Sequence, residues 1–132
     1  MSTDLCWMVV RNTSSFMVKG RLSRTKVFTK EPNNLTGLHS LKSSGLGAKA
    51  VGIVPAPDNK GVVLVTKKTK VGNKPAKSLN RVTLRKGRRA VLTSVANSVR
   101  SYDKSKKSTA MKRTSAILRS QRPRIGKKTK KD

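Results

Sequence analysis

Apolar and polar positions change their period several times along this chain, and each change marks an element. The sharpest pattern lies between Lys49 and Lys68. Ala50-Val-Gly-Ile-Val54 and Gly61-Val-Val-Leu-Val65 are β-branched runs separated by Pro55-Ala-Pro-Asp-Asn-Lys60, which predicts an antiparallel hairpin. Pro55 and Pro57 cannot donate to a strand ladder, and Asp58, Asn59 and Gly61 tolerate unusual backbone angles, so the chain reverses there through a loop longer than a tight turn. Val62 to Val65 is apolar at every position rather than every second one, so both faces of that strand are covered. No other stretch is apolar enough to seed a β core. The hairpin is scaffold, with no chemistry of its own.

Around it the periods are weaker but still readable. Ser2 or Thr3 caps a short helix over Leu5 to Val10, with Asp4 in its first turn. Trp7 and Cys6 in that helix are expected in a core, Cys6 as a small buried hydrophobe and Trp7 for its large apolar area, with stacking on a base as the alternative for Trp7. Phe16-Met17-Val18 reads as a first strand, followed by a basic exposed loop that carries Lys19, Arg21 and Arg24. Glu31-Pro-Asn-Asn34 is a turn, because Pro fixes one angle and Asn bonds its own backbone. Leu35 to Gly47 has no clean period and is expected to lie over the core as an ordered irregular excursion. Lys67 to Arg89 is dense in Lys and Arg and broken by Gly72, Pro75 and Gly87; such a segment has little reason to fold alone and should order along a polyanion. Val91, Leu92, Val95, Ala96, Val99 and Tyr102 recur at helical steps, so Ala90 to Tyr102 is a helix with one apolar face, packed on the hairpin. A second helix from Thr109 to Arg122, capped by Ser108 or Thr109 and stopped by Pro123, gathers Ala110, Met111, Ile117 and Leu118 on one arc. The tail from Arg124 to Asp132 should order only on its partner, and its basic run suits a nuclear import signal. The predicted class is α+β: a small hairpin or sheet core packed with helices, plus basic helical and irregular extensions. Four parts are expected, a mixed domain at 1–66, a basic tracking linker at 67–89, two helices at 90–123 and a tail at 124–132.

Charge decides what such a chain meets. It has 32 Lys and Arg against five acidic residues, for a formal charge of +27 on 132 residues, and only 34% of it is apolar. A compact domain of that charge repels itself strongly unless a polyanion neutralises it. Residues 1–66 hold nine basic and three acidic groups, +6, whereas 67–132 hold 23 and two, +21, so the second half meets the partner. A membrane is not the partner expected, since no stretch approaches the roughly 20 apolar residues that span a bilayer. No signal peptide is read at the N-terminus, and a single Cys fits a reducing compartment.

Catalysis needs positioned acids, bases, nucleophiles or metals. Scattered carboxylates, one His (His39) and one Cys give no pair at a recognisable spacing, and there is no CxxC, HExxH or phosphate-binding Gly loop. No enzyme, metal, cofactor or small-molecule substrate is therefore expected. Aromatics at 3% are too few for serial base stacking. What remains is recognition of a nucleic-acid backbone by Lys and Arg. The candidates, besides the loop residues named above, are Arg11, Lys60, Lys67, Lys68, Lys70, Lys74, Lys77, Arg81, Arg85, Lys86, Arg88 and Arg89, then Lys112, Arg113, Arg119 and Arg122 on the open side of the second helix, and Arg124, Lys127 and Lys128 in the tail. Composition alone leaves RNA and DNA open, and a chromatin or DNA-packaging protein is the competing class; histone-like tails usually carry less apolar hairpin.

Several words narrow this choice. Trp7-Met-Val-Val-Arg-Asn12 with Ser14-Ser15-Phe16, Glu31-Pro-Asn-Asn-Leu35, Lys60-Gly-Val-Val63 and Ser115-Ala-Ile-Leu-Arg-Ser-Gln121 with Pro123 resemble the eukaryote-specific family of large-subunit ribosomal proteins numbered twenty-eight-e. The matches run in family order across nearly the whole chain. The resemblance implies a non-enzymatic 60S protein of the cytosol, with passage through the nucleus and nucleolus during assembly, that binds large-subunit rRNA beside neighbouring ribosomal proteins. It also implies a small mixed α/β domain with basic helical extensions. Arg11, Lys60, Lys67 and Arg119 fall in or beside matching words, whereas 67–89 and the tail after Arg124 match only in basic character.

Overall fold

The computed structural model describes residues 2–18, 26–47, 49–71 and 74–122. The described residues form an α+β architecture with three helices and two antiparallel sheets. The chain opens with α1 (Thr3–Val10), which starts where Ser2 Oγ accepts the Asp4 N–H at 3.3 Å. Arg11 closes the helix, its N–H donating to Trp7 O. β1 (Met17–Val18) pairs with β2 (Phe28–Thr29), a strand with no clear sequence signal. The core reading of α1 needs correction. None of its residues is fully buried, Trp7 and Cys6 are half-buried, and Leu5, Met8 and Val9 are 59%, 62% and 69% exposed. The main core begins only at Leu35, so α1 lies outside it.

That core is built on a sheet of order β3-β4-β5, with β3 (Val51–Pro55) and β4 (Val62–Lys67) forming the expected hairpin. Val51, Ile53, Val62 and Leu64 join Val91, Val95, Val99, Ala110 and Leu35 in one cluster. Each Val or Leu so buried stabilises by roughly 1.5–3 kcal/mol before entropic costs. Val65 is buried as well, so β4 is covered on both faces as its unbroken apolar run requires. The segment 67–89 departs from its reading as a linker that folds only on a partner. Its residues Leu79–Leu84 form β5, paired with β4 through Val62↔Leu84, Leu64↔Val82 and Lys67↔Leu79. Without β5, β4 would be an edge strand with a row of unpaired N–H and C=O groups, and pairing them needs a neighbouring backbone far more than an apolar side chain.

Two antiparallel helices cover the sheet: α2 (Arg88–Tyr102), which buries Val91, Val95, Ala96 and Val99 as its period predicts, and α3 (Lys107–Ser120). α3 begins before Thr109, and neither Ser108 nor Thr109 caps it. Asp103 caps instead the 3-10 turn Lys104–Lys106 that feeds straight into α3, its carboxylate accepting the Ser105 N–H at 3.0 Å. Burial alone would raise the Asp103 pKa, but hydrogen bonds from Ser105 and the Lys106 charge outweigh it and hold the carboxyl below its ordinary value. The stability this adds is present above the ordinary carboxyl pKa and is lost as the pH falls through the lowered one.

The excursion 31–47 is held by side chains rather than by a ladder. Glu31 Oε1 accepts the Gly45 N–H at 2.7 Å, and buried Asn34 accepts from Gly37 N at 2.8 Å and donates to Leu38 O at 2.9 Å. Across the molecule, Gln121 Oε1 accepts the Gly61 N–H at 3.1 Å while its Nε2 donates to Gly61 O at 2.8 Å. This paired bond ties the end of α3 to the hairpin loop. Gln121→Ala removes both bonds and is expected to lower unfolding free energy by about 1–2 kcal/mol, read as a fall in the urea midpoint at unchanged slope. An unchanged midpoint would show that the joint carries no load.

Candidate nucleic-acid interface

Sixteen of the sequence-predicted basic residues lie among the described ones; Lys19, Arg21, Arg24, Arg124, Lys127 and Lys128 lie outside them. Fifteen of the sixteen are exposed, and Lys67 is half-buried. The exception has a physical cause. Lys67 Nζ donates to Leu46 O at 3.4 Å and Gly47 O at 3.5 Å, so its ammonium pins the excursion to β4. Its carbonyl accepts the Tyr102 hydroxyl at 2.6 Å, and burial raises the phenol above its ordinary pKa, with the Asp103 charge adding to the rise. Arg85 is also engaged, paired with Asp58 at 3.3 Å, but both side chains are open to solvent and the pair stays available for exchange.

The fold gathers some of the others. Arg88 and Arg89 at the start of α2 and Arg122 just past the end of α3 line one cleft with Leu92. α2 has no side-chain cap at Gly87 and no acidic residue in its first turn. Its free N–H groups and the positive end of its dipole thus coincide with two guanidinium groups, an arrangement that costs stability until an anion enters. Lys68, Lys70 and Asn80 line a second open cleft beside β4 and β5. Lys112, Arg113 and Arg119 project from the exposed side of α3, and Arg81 from β5. Arg11 shares neither cleft; it lies at the end of α1, in a hollow with Trp7 and His39. The Arg88, Arg89 and Arg122 grouping escaped sequence reasoning because the two ends are 33 positions apart. Only the α2–α3 turn brings them together. Lys106, by contrast, is structural: it pairs with Asp103 and donates to Lys49 O.

Among the described residues no three His, Cys, Asp or Glu side chains gather closely enough to hold a metal ion. No helix among them is long and apolar enough to cross a membrane.

The sequence model of the Ribosomal L28e protein family matches residues 5–120 of this chain. The chain belongs to the ribosomal L28e family. The large ribosomal subunit protein eL28 of Schizosaccharomyces pombe is 37% identical over 129 residues, which cover 94% of this chain and 96% of that protein. The protein of the same name from Caenorhabditis elegans is 38% identical over 122 residues, covering 92% and 91%. The words that carried the resemblance to this L28e family fall on structural joints here. Glu31 and Asn34 hold the excursion, Leu35 enters the core, and Gln121 bonds Gly61. At these positions the family words hold the domain together.

Proposed function

We propose that this chain is a structural constituent of the cytosolic large ribosomal subunit and binds rRNA through phosphate-backbone contacts of its Lys and Arg side chains. One observation carries the reading: Arg88 and Arg89, at the start of α2 where no side chain caps the helix, share one cleft with Arg122. A phosphate there would accept from free N–H groups and from forked guanidinium donors at once. Lys68 and Lys70 extend the track beside the sheet, and Lys112, Arg113 and Arg119 extend it along α3. Family membership and the names of the relatives support the same assignment. No catalytic role is assigned. The apolar stripe of Leu5, Met8 and Val9, on a helix without a basic residue, suits a neighbouring ribosomal protein better than phosphate. The protein works on cytoplasmic ribosomes after nuclear and nucleolar passage during assembly, for which the tail from Arg124 supplies an import signal.

Sedimentation of the native protein from a lysate tests the assignment. It is expected in the 60S, 80S and polysome fractions, and to leave them on a high-salt wash only at ionic strengths that strip other phosphate-bound proteins. Recovery in the chromatin pellet would favour the DNA-packaging reading instead.

A further inference from the structure

The chain's only Trp and only His meet in one place. The Trp7 and His39 ring centroids are 4.7 Å apart with planes tilted by 42°. His39 Nε2 lies 2.6 Å from Arg11 O, and because a carbonyl can only accept, that nitrogen donates and the ring is fixed in orientation. Beside the pair is an open hollow of about 410 Å³, between the end of α1, β1 and the stretch from Ser40 to Leu41. Its apolar wall includes Met17 and Val27, and its polar side carries Arg11 and Asn12. Neither Trp7 nor His39 is fully buried, and both Arg11 and Asn12 are exposed. The volume lies in the range of small-ligand sites, roughly 300–1,000 Å³.

This hollow combines what a single base needs: an aromatic platform, an apolar wall, a fork of guanidinium donors and an amide that both donates and accepts. The long basic surface after Lys67 offers no such platform. Its one aromatic residue, Tyr102, has its hydroxyl committed to Lys67 O and is packed against the core. Stacking chemistry is thus confined to the first half of the chain, and most backbone charge to the second. We infer that the Trp7–His39 hollow receives one unpaired nucleobase of the bound RNA. The inference rests on the RNA-binding reading above and adds to it a point where the protein contacts a base rather than phosphate.

Because Trp7 is the sole indole, its fluorescence reports this site directly. The full-length protein is titrated, at near-physiological salt, with a blunt fully paired RNA duplex and with the same duplex carrying one unpaired adenine. The bulged duplex is expected to bind about 5- to 100-fold more tightly, the worth of one base–aromatic stack, and to quench Trp7 emission where the paired duplex does not. Trp7→Leu should abolish the preference. Trp7→Phe, which keeps a platform, should retain most of it as read by gel mobility, and so separates loss of the platform from loss of the fold. His39→Gln keeps a donor toward Arg11 O but removes the second ring, and should weaken the preference. Equal binding of both duplexes with unchanged Trp7 emission would overturn the base site and leave RNA binding intact. Failure of both duplexes to bind would overturn the RNA reading and this inference with it. Saturable quenching by adenosine monophosphate alone at micromolar concentration would also overturn it, by assigning the hollow to a free nucleotide.

Discussion

Gly61→Ala is expected to destabilise the fold by about 3–5 kcal/mol, the largest effect of a methyl added at any of the described glycines. Gly61 sits at φ +87°, and a Cβ there would lie 2.2 Å from Leu84 O and 3.0 Å from Arg85 Cα. Both are backbone atoms of β5 and its exit, so no side-chain rotation relieves the clash. The strands must separate, or Gly61 must leave the left-handed region. Either response also pulls Gly61 away from Gln121 and from Ala56, whose N–H donates to Gly61 O. Against a typical domain stability of roughly 5–15 kcal/mol, a loss of that size leaves a substantial unfolded fraction. Urea denaturation followed by far-ultraviolet circular dichroism is the measurement, with Gly87→Ala as the companion variant. A Cβ at Gly87 meets nothing within 4 Å, and Gly87 caps α2 without a side-chain bond, so that change should cost less than about 1 kcal/mol. Equal losses at the two glycines would refute the steric account.

RNA binding should weaken roughly 10,000-fold between 50 and 200 mM monovalent salt. The reasoning is counterion release: with about eight of the 23 basic residues after Thr66 each displacing one ion, the log–log slope is near −6 to −7, at roughly 0.7–0.9 per contact. Replacing Arg88, Arg89 and Arg122 together by Ala should make the slope shallower by about two, because these three share one cleft. Replacing Lys67 should leave the slope nearly unchanged, since its ammonium is already engaged with Leu46 and Gly47. Binding should also favour a folded large-subunit rRNA domain over a DNA duplex of equal charge, because cations fixed on α2, α3 and the sheet match a shaped phosphate array. A slope near −2, or equal affinity for the two polyanions, would count against the proposed interface.

Helical and strand periods with strong apolar content could be read directly. The hairpin Val51–Lys67 follows from two β-branched runs around a Pro-Ala-Pro-Asp-Asn turn, and the buried face of α2 follows from apolar steps of three and four. The phase of α3 was equally legible: Ala110 is buried, Met111, Ile117 and Leu118 are half-buried, and Lys112, Arg113, Arg119 and Arg122 are exposed. Thr114, fully buried, was not, because a hydroxyl reads as polar until its donation to Ala110 O at 2.8 Å is seen. Nor was the exposure of α1. Six consecutive apolar residues, Leu5 to Val10, say that the helix is apolar on every side but not which side meets protein.

The sequence by itself determined the charge, the hairpin and the helical faces, since all of these are sums or local periods. The tertiary structure decided β5, which exists because β4 needs a backbone partner on its open side, whatever its own Lys and Arg content suggests. It also decided the meetings of distant residues: Gln121 with Gly61, Arg122 with Arg88 and Arg89, Trp7 with His39. Each joins positions separated by 32 or more residues. A local period carries no information about such pairs, because the positions that meet are chosen by how separate elements pack on one another, at the core for the α2, α3 and hairpin pairs and outside it for Trp7 and His39.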